Sequence, residues 1–219
     1  ARHLTPEPQE FSVASPFDYA QQTRVFVIND VNKNDNKQIA SAMQTLFKAS
    51  GGGALGLFTA INRLRAVHNN IHDPLSDEGL KLYAQHVDDI DTGTLIDMFR
   101  FDPHACMLGT DAARDGVDIP GDSLRLLVFD RVPWPRPTIL HKARRDYFGG
   151  RSYDEMITRL KLKQAFGRLI RSASDKGVFV MLDSGLPSRL HSAFPEGTEI
   201  IKSGLSDAAR AIKEFLAKT

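Results

Sequence analysis

Cysteine is almost missing from this sequence: Cys106 stands alone among 219 residues. One thiol closes no disulfide within the chain and builds neither a thiolate zinc site nor an iron–sulfur cage. That usage fits a reducing compartment and sets the expectation of a cytoplasmic protein. Long apolar runs are also missing, so no membrane-spanning helix and no membrane partner are expected. The opening Ala1-Arg-His-Leu-Thr5 has neither a signal-peptide pattern nor an initiator Met, and suggests a segment of a longer protein. An excess of charge is lacking too. The formal net charge is +1, so the surface is not basic throughout and any site for a polyanion must be local.

A further absence bears on chemistry. Gly51-Gly-Gly-Ala-Leu-Gly56 suggests a phosphate-cradling loop, but that loop needs Lys and then Ser or Thr after its last Gly. Here Leu57 and Phe58 follow, and no other stretch supplies the pattern. No acidic pair closes an apolar strand to hold Mg²⁺; Asp77-Glu78 and Asp154-Glu155 sit in polar settings that suit helix N-termini. His68 and His72 have a zinc-compatible i, i+4 spacing, but no third ligand is evident, and no metal site is expected. The chain lacks the means to hydrolyse a nucleotide alone.

Among what is present, 42% hydrophobic and 25% charged residues are the proportions of an ordinary globular domain. Residues 1–23 are Pro-rich and polar and read as a lead-in, with Ser15-Pro-Phe-Asp-Tyr19 as a capped turn; residues 24–219 read as one domain. Short apolar runs predict strands over 24–28, 54–59, 80–84, 105–109, 124–129, 177–183 and 199–202. Helical spacing predicts helices over 38–49, 62–71, 94–99, 153–172 and 205–216, with a small one near Ser188, while 131–151 reads as irregular. Continuous apolar strands alternating with helices imply an α/β fold with a mostly parallel sheet covered on both faces. Ligands on such sheets bind outside the carboxyl ends of the strands.

Three stretches carry candidate chemistry. On the helix expected over 153–172, Gln164, Arg168 and Arg171 fall at i, i+4 and i+7 and would share one face, with Gly167 beside them permitting close approach. Two guanidiniums and an amide suit a polyphosphate; a solvated basic face is the plainer alternative. In Gly109-Thr-Asp-Ala-Ala-Arg-Asp-Gly-Val-Asp118, Thr110 offers a hydroxyl to a phosphate, Gly116 permits close approach and Asp118 suits an Arg or a ribose hydroxyl. A loop with a helix cap at Asp111 explains the same residues. Arg131, Arg136, Lys142, Arg144 and Arg145 surround Trp134 and Tyr147, a mixture that suits single-stranded nucleic acid. A lone Trp is more often folded into the core, and that is the expectation for Trp134.

Together these stretches resemble the second RecA-like motor domain of superfamily 2 helicases, and more narrowly the DinG/XPD-type DNA helicases. Gln164-Ala-Phe-Gly-Arg-Leu-Ile-Arg171 with Ser172-Ala-Ser-Asp175 is similar to motif VI. Thr110 to Asp118 has the spacing of motif V, continued by Ile119-Pro-Gly-Asp-Ser-Leu-Arg125. Leu57-Phe-Thr-Ala60 with Arg63 and Leu64 looks like motif IV, and Ser15 to Tyr19 resembles the segment that precedes this domain. Ala113, Arg114 and Asp115 stand where the family usually has an aromatic and then Glu. The resemblance covers residues from about 12 onward.

It implies a RecA-like fold and an ATP-dependent DNA helicase whose first motor domain, expected elsewhere in the parent chain, holds most of the ATP and Mg²⁺. No iron–sulfur cluster would belong to this segment. Arg168 and Arg171 would be catalytic, with Arg171 as arginine finger. Gln164, Gly167, Gly116 and Asp118 would help bind the nucleotide. Thr59, Arg63, Thr110 and Asp111 would contact single-stranded DNA. A non-catalytic RecA-like binding module for nucleic acid or protein, or half of an RNA helicase, are the alternatives.

Overall fold

The computed structural model describes residues 15–110 and 121–217. Seven strands form one sheet in the order β3-β4-β2-β5-β6-β1-β7, and every neighbouring pair is parallel. The strands are β1 (Thr23–Ile28), β2 (Ala54–Leu57), β3 (Leu82–Ala84), β4 (Cys106–Gly109), β5 (Leu126–Phe129), β6 (Gly177–Met181) and β7 (Ile200–Ser203). The helices described are α1 (Tyr19–Gln22), α2 (Asn36–Ser50), α3 (Ile61–Ser76), α4 (Thr92–Phe101), α5 (Ile139–Tyr147), α6 (Arg151–Phe166) and α7 (Leu205–Ala217). The expected α/β architecture is therefore present, with a sheet wholly parallel rather than mostly so.

Successive side chains of a strand point to opposite faces, and the strands use both. Val25, Val27, Leu55, Leu57, Leu127, Phe129, Phe179 and Met181 join one buried cluster with α4 and α6. Phe26, Ile28, Ala54, Leu126, Val128, Val178 and Val180 join the other, with α2, α3 and α7. This double burial explains why the strands read as continuous apolar runs rather than alternating ones. Cys106 belongs to the second cluster, where burial pushes its thiol up to about 12. It is a packing residue.

The glycine-rich stretch after α2 is structural. Gly51 caps the helix in the left-handed region, and Gly52 follows at φ +88°. A Cβ on Gly52 would lie 2.2 Å from the His104 carbonyl oxygen. Arg125 completes this end by donating to the carbonyls of Ser50 at 3.0 Å and Gly51 at 2.8 Å, groups that a helix C-terminus leaves unsatisfied.

Three expectations are corrected. The helix expected over 153–172 begins at Arg151 and ends at Phe166. Its last turn tightens: Arg168 N donates to Ala165 O at 3.2 Å and Leu169 N to Phe166 O at 3.0 Å. Leu169 and Ile170, beyond the helix end, are both buried. The irregular stretch 131–151 contains α5, started by Thr138, whose hydroxyl accepts from His141 N at 3.1 Å. Trp134 is not in the core; it is 38% exposed.

Candidate functional site

Because all strands run the same way, their carboxyl ends share one edge of the sheet and their amino ends the other. The candidate residues divide between those edges. Thr59 follows β2, Thr110 follows β4, and Asp130 and Asp183 follow β5 and β6, all at the carboxyl edge. The turn carrying Arg168 and Arg171 leads into the amino end of β6, at the opposite edge. The strands between are four to six residues long, about 15 Å at ~3.3 Å per residue. The arginines therefore do not share the carboxyl-edge crevice with Thr59 and Thr110. Between these sets, the chain leaves β4 at the carboxyl edge and re-enters β5 from the amino edge, through Gly121–Ser123. Asp111, Gly116 and Asp118 lie outside the described residues.

The arginine turn has a definite construction. Gln164 is exposed in the last turn of α6, and the helix ends on Gly167. A Cβ on Gly167 would meet only the carbonyl oxygens of Lys163 and Gln164, at 3.3 and 3.8 Å, so its outer side is open among the described residues. Leu169 packs against Gly177, where an added Cβ would lie 2.6 Å from Leu169 Cβ. Phe166 packs among Tyr19, Phe179 and Phe194. Arg171 is exposed and Arg168 half-buried, so the single helical face expected for them is replaced by a turn that fixes each separately.

Asp175 organises that turn. Its carboxylate accepts from Arg171 N at 2.8 Å, Ser172 N at 2.9 Å and the Ser172 hydroxyl at 2.6 Å. Partial burial pushes this carboxyl up, but these hydrogen bonds and the Arg171 charge hold it below the usual carboxylate range. Gln22, nearly buried, closes the arrangement: its amide donates to the carbonyls of Ser172 at 2.9 Å and Asp175 at 3.0 Å. Sequence reading missed Gln22, which sits 150 residues from its nearer partner. A polar residue closing α1 directly before an apolar strand was the one available signal.

At the carboxyl edge, Thr110 is oriented by a buried Gln85, whose side-chain oxygen accepts from both the Thr110 amide and hydroxyl at 2.9 Å. His86 Nε2 lies 3.3 Å from the same hydroxyl. His86 has φ +68°, the left-handed region that non-glycine residues seldom enter. Arg65 clamps the His86 carbonyl with two bonds of 3.0 and 3.1 Å. Strain held in place like this beside a crevice is a mark of functional positions. Nothing in the local sequence pattern announces it.

Thr59 is held on both sides: its amide donates to Asp130 at 3.2 Å, and Arg136 donates to its carbonyl at 2.6 Å. Arg63 is mostly buried. It pairs with Asp130 at 3.4 Å and also donates to the Lys33 carbonyl, which Arg131 reaches at 3.1 Å. Burial lowers the Arg63 pKa, helped by repulsion from Arg131 and opposed by Asp130. Lys33 in turn contacts Asp183 at 2.7 Å. The loops after β1, β2, β5 and β6 are thus tied into one ionic network that supports Thr59. Among the described residues, no group of three or more His, Cys, Asp and Glu is arranged to hold a metal ion.

Residues 43–199 match the model of the helicase C-terminal domain. The chain is 33% identical over 194 residues to the ATP-dependent helicase DinG of Mycobacterium tuberculosis, covering 83% of this chain and 28% of that protein. It is 31% identical over 192 residues to the 3'-5' exonuclease DinG of Bacillus subtilis, covering 80% of this chain and 20% of the relative. It is 28% identical over 222 residues to the ATP-dependent DNA helicase YoaA of Escherichia coli, covering 96% and 34%. The chain thus spans about a third or less of these relatives' lengths. Among solved structures, an XPD helicase superposes with a TM-score of 0.62 at 17% identity, over 83% of this chain and 35% of that one. Yeast Dbp5 bound to RNA and ADP BeF3 superposes at 0.60 and 13% identity, over 90% and 46%. Both share the RecA-like fold.

Proposed function

The chain belongs to the helicase C-terminal domain family, as the C-terminal helicase domain of a DinG/XPD-type superfamily 2 helicase; on that premise we propose that it is the second motor half of an ATP-dependent DNA helicase. Its two edges divide the work. At the amino edge, Arg168 and Arg171 complete a nucleotide site shared with a first motor domain, which holds most of the ATP and the Mg²⁺. The donors present suit this role: two guanidiniums on a braced turn with Gln164 and Gly167 beside them match phosphate oxygens. Asp175 is already engaged with amides, which supports placing the Mg²⁺ ligands elsewhere. When bound, ATP supplies the free energy of phosphoryl transfer.

Arg171 is the arginine finger, offering permanent positive charge where negative charge develops. Gly116 and Asp118 add to nucleotide binding. At the carboxyl edge, Thr59, Thr110 and Asp111 contact the backbone of single-stranded DNA, with Arg63 serving the same surface. Contacts to phosphate carry no base information, which a translocating motor requires.

The observation that carries this reading is the Asp175–Gln22 brace, which fixes the backbone at Arg171 and Ser172 and so sets the point from which the exposed Arg171 side chain leaves the turn. Arg171→Ala in the parent protein tests it. DNA-stimulated ATP turnover should fall by about 10³-fold or more, as for other arginine fingers, with an unchanged melting curve. Near-normal turnover would remove Arg171 from catalysis. A salt titration of the parent on single-stranded DNA and on RNA separates the DNA from the RNA motor, since both share the phosphate contribution.

A further inference from the structure

Two crevices adjoin at the carboxyl edge. The first, about 270 Å³, is lined by Trp134 with its flanking prolines, Arg136, His141, Lys161 and Thr59. The second, about 340 Å³, is lined by Thr59, Ile61, His86, Thr110 and Arg136. They share Thr59 and Arg136, so they form one trough, and no carboxylate lines either part among the described residues. Two acids lie near it: Asp154 is bonded to His141 at 2.7 Å and to Arg145 at 3.1 Å, and the buried Asp130 accepts from the Thr59 amide at 3.2 Å and pairs with Arg63 at 3.4 Å. The lining therefore mixes the cationic Arg136 and Lys161 with polar Thr59 and Thr110 and apolar Phe58, Ile61 and the prolines, and Trp134 is its exposed aromatic ring.

That ring is presented by a stiff support. Pro133, Pro135 and Pro137 fix the backbone on either side of Trp134 and Arg136. The Trp134 amide donates to Val132 O at 2.8 Å, closing a tight turn. Val132 and Pro133 are buried while Trp134 keeps 38% of its surface exposed. Such an aromatic loses little freedom when a flat partner stacks on it. Aromatic rings stack any base, and Arg and Lys pair with the intervening phosphates.

We infer that Trp134 is a base-stacking platform for a single strand whose backbone lies in the trough between Thr59 and Thr110, with Arg136 and Lys161 facing the adjacent phosphates. The inference deepens the proposed function and rests on its reading of Thr59 and Thr110 as backbone contacts. It adds a base contact that tolerates every sequence.

Trp134 is the chain's one tryptophan, so its emission reports the site directly. The chain is titrated with a labelled oligothymidylate and with an abasic strand of equal length, following anisotropy and tryptophan emission together. The thymidine strand should quench Trp134, and the abasic strand should bind without quenching. Trp134→Ala should weaken the thymidine strand about tenfold and the abasic strand less than about twofold, and Trp134→Phe should restore most of the loss. Binding with unchanged emission overturns the inference, and so does an equal loss for both strands in Trp134→Ala. If the abasic strand does not bind while the thymidine strand still quenches, the platform stands and the backbone reading of Thr59 and Thr110 falls.

Discussion

Asp130 has no exposed surface, and burial pushes its carboxyl up to about 6 although Arg63 and Arg131 pull it down. An unfolded Asp titrates near about 3.9. Between these values the native state keeps a proton that the unfolded chain has lost, so stability from this group falls as pH rises through that window. Asp130→Asn cannot titrate. The advantage of the wild type over this variant should therefore shrink from about pH 4 to about pH 7, measured by urea unfolding at each pH. An advantage that grows instead would mean that the arginines hold the carboxylate ionised. Gln22 makes a second case. Gln22→Leu removes two donors and leaves the Ser172 and Asp175 carbonyls partly unsatisfied, at a cost of about 1–3 kcal/mol. In the parent protein it should lower kcat more than it raises KM, because the charge of Arg171 remains while its placement loosens. Steady-state kinetics beside a melting curve will separate this from general destabilisation.

At the scale of elements, the three glycines preceding β2 all have positive φ and are required by backbone shape. Gly52→Ala should destabilise the fold by more than about 1 kcal/mol, since its φ is positive and the new Cβ has no room beside His104. Chemical denaturation measures this, and a neutral result would mean that the 104 turn can give way. The elements themselves were largely legible, since doubly buried strands and amphipathic helices announce themselves by period. What misled was the end of α6. The spacing of Gln164, Arg168 and Arg171 is helical on paper, but it continues across Gly167 into a turn where Leu169 and Ile170 are both buried. Helix α5 was missed for another reason: it is short and buries no residue, and its apolar residues Ile139, Leu140 and Tyr147 are exposed among many charged ones. Thr138 after Pro137 was the remaining clue. Of the candidate site, Gln164, Arg168, Arg171 and Thr110 could be named from the sequence pattern, and Thr59 and Arg63 from the family resemblance. Gln22, Gln85 and Asp130 could not, because their partners are brought near only by the tertiary fold.

At the scale of the whole molecule, the proposed function gives the arginines to a nucleotide, while the sequence has no Gly-Lys loop to cradle one. ATP hydrolysis by this chain alone should be indistinguishable from buffer, and should appear, stimulated by DNA, only when a first motor domain is supplied in the same protein. A phosphate-release assay on both checks this. Turnover by the chain alone would require a nucleotide site different from the one proposed.

The position of β1 in the sheet has a further consequence, for folding. It is the first strand in the chain, yet its partners are the last two, with Thr23 opposite Gly177 and Val25 opposite Ile200. Pairings so distant in sequence must close long loops before any bond rewards them, which makes folding slow. During synthesis from the amino end, residues 23–28 must wait without either neighbour until most of the domain has been made. The bonds from Gln22 to Ser172 and Asp175 belong to that same late event, so the brace behind Arg171 is among the last parts of the domain to form.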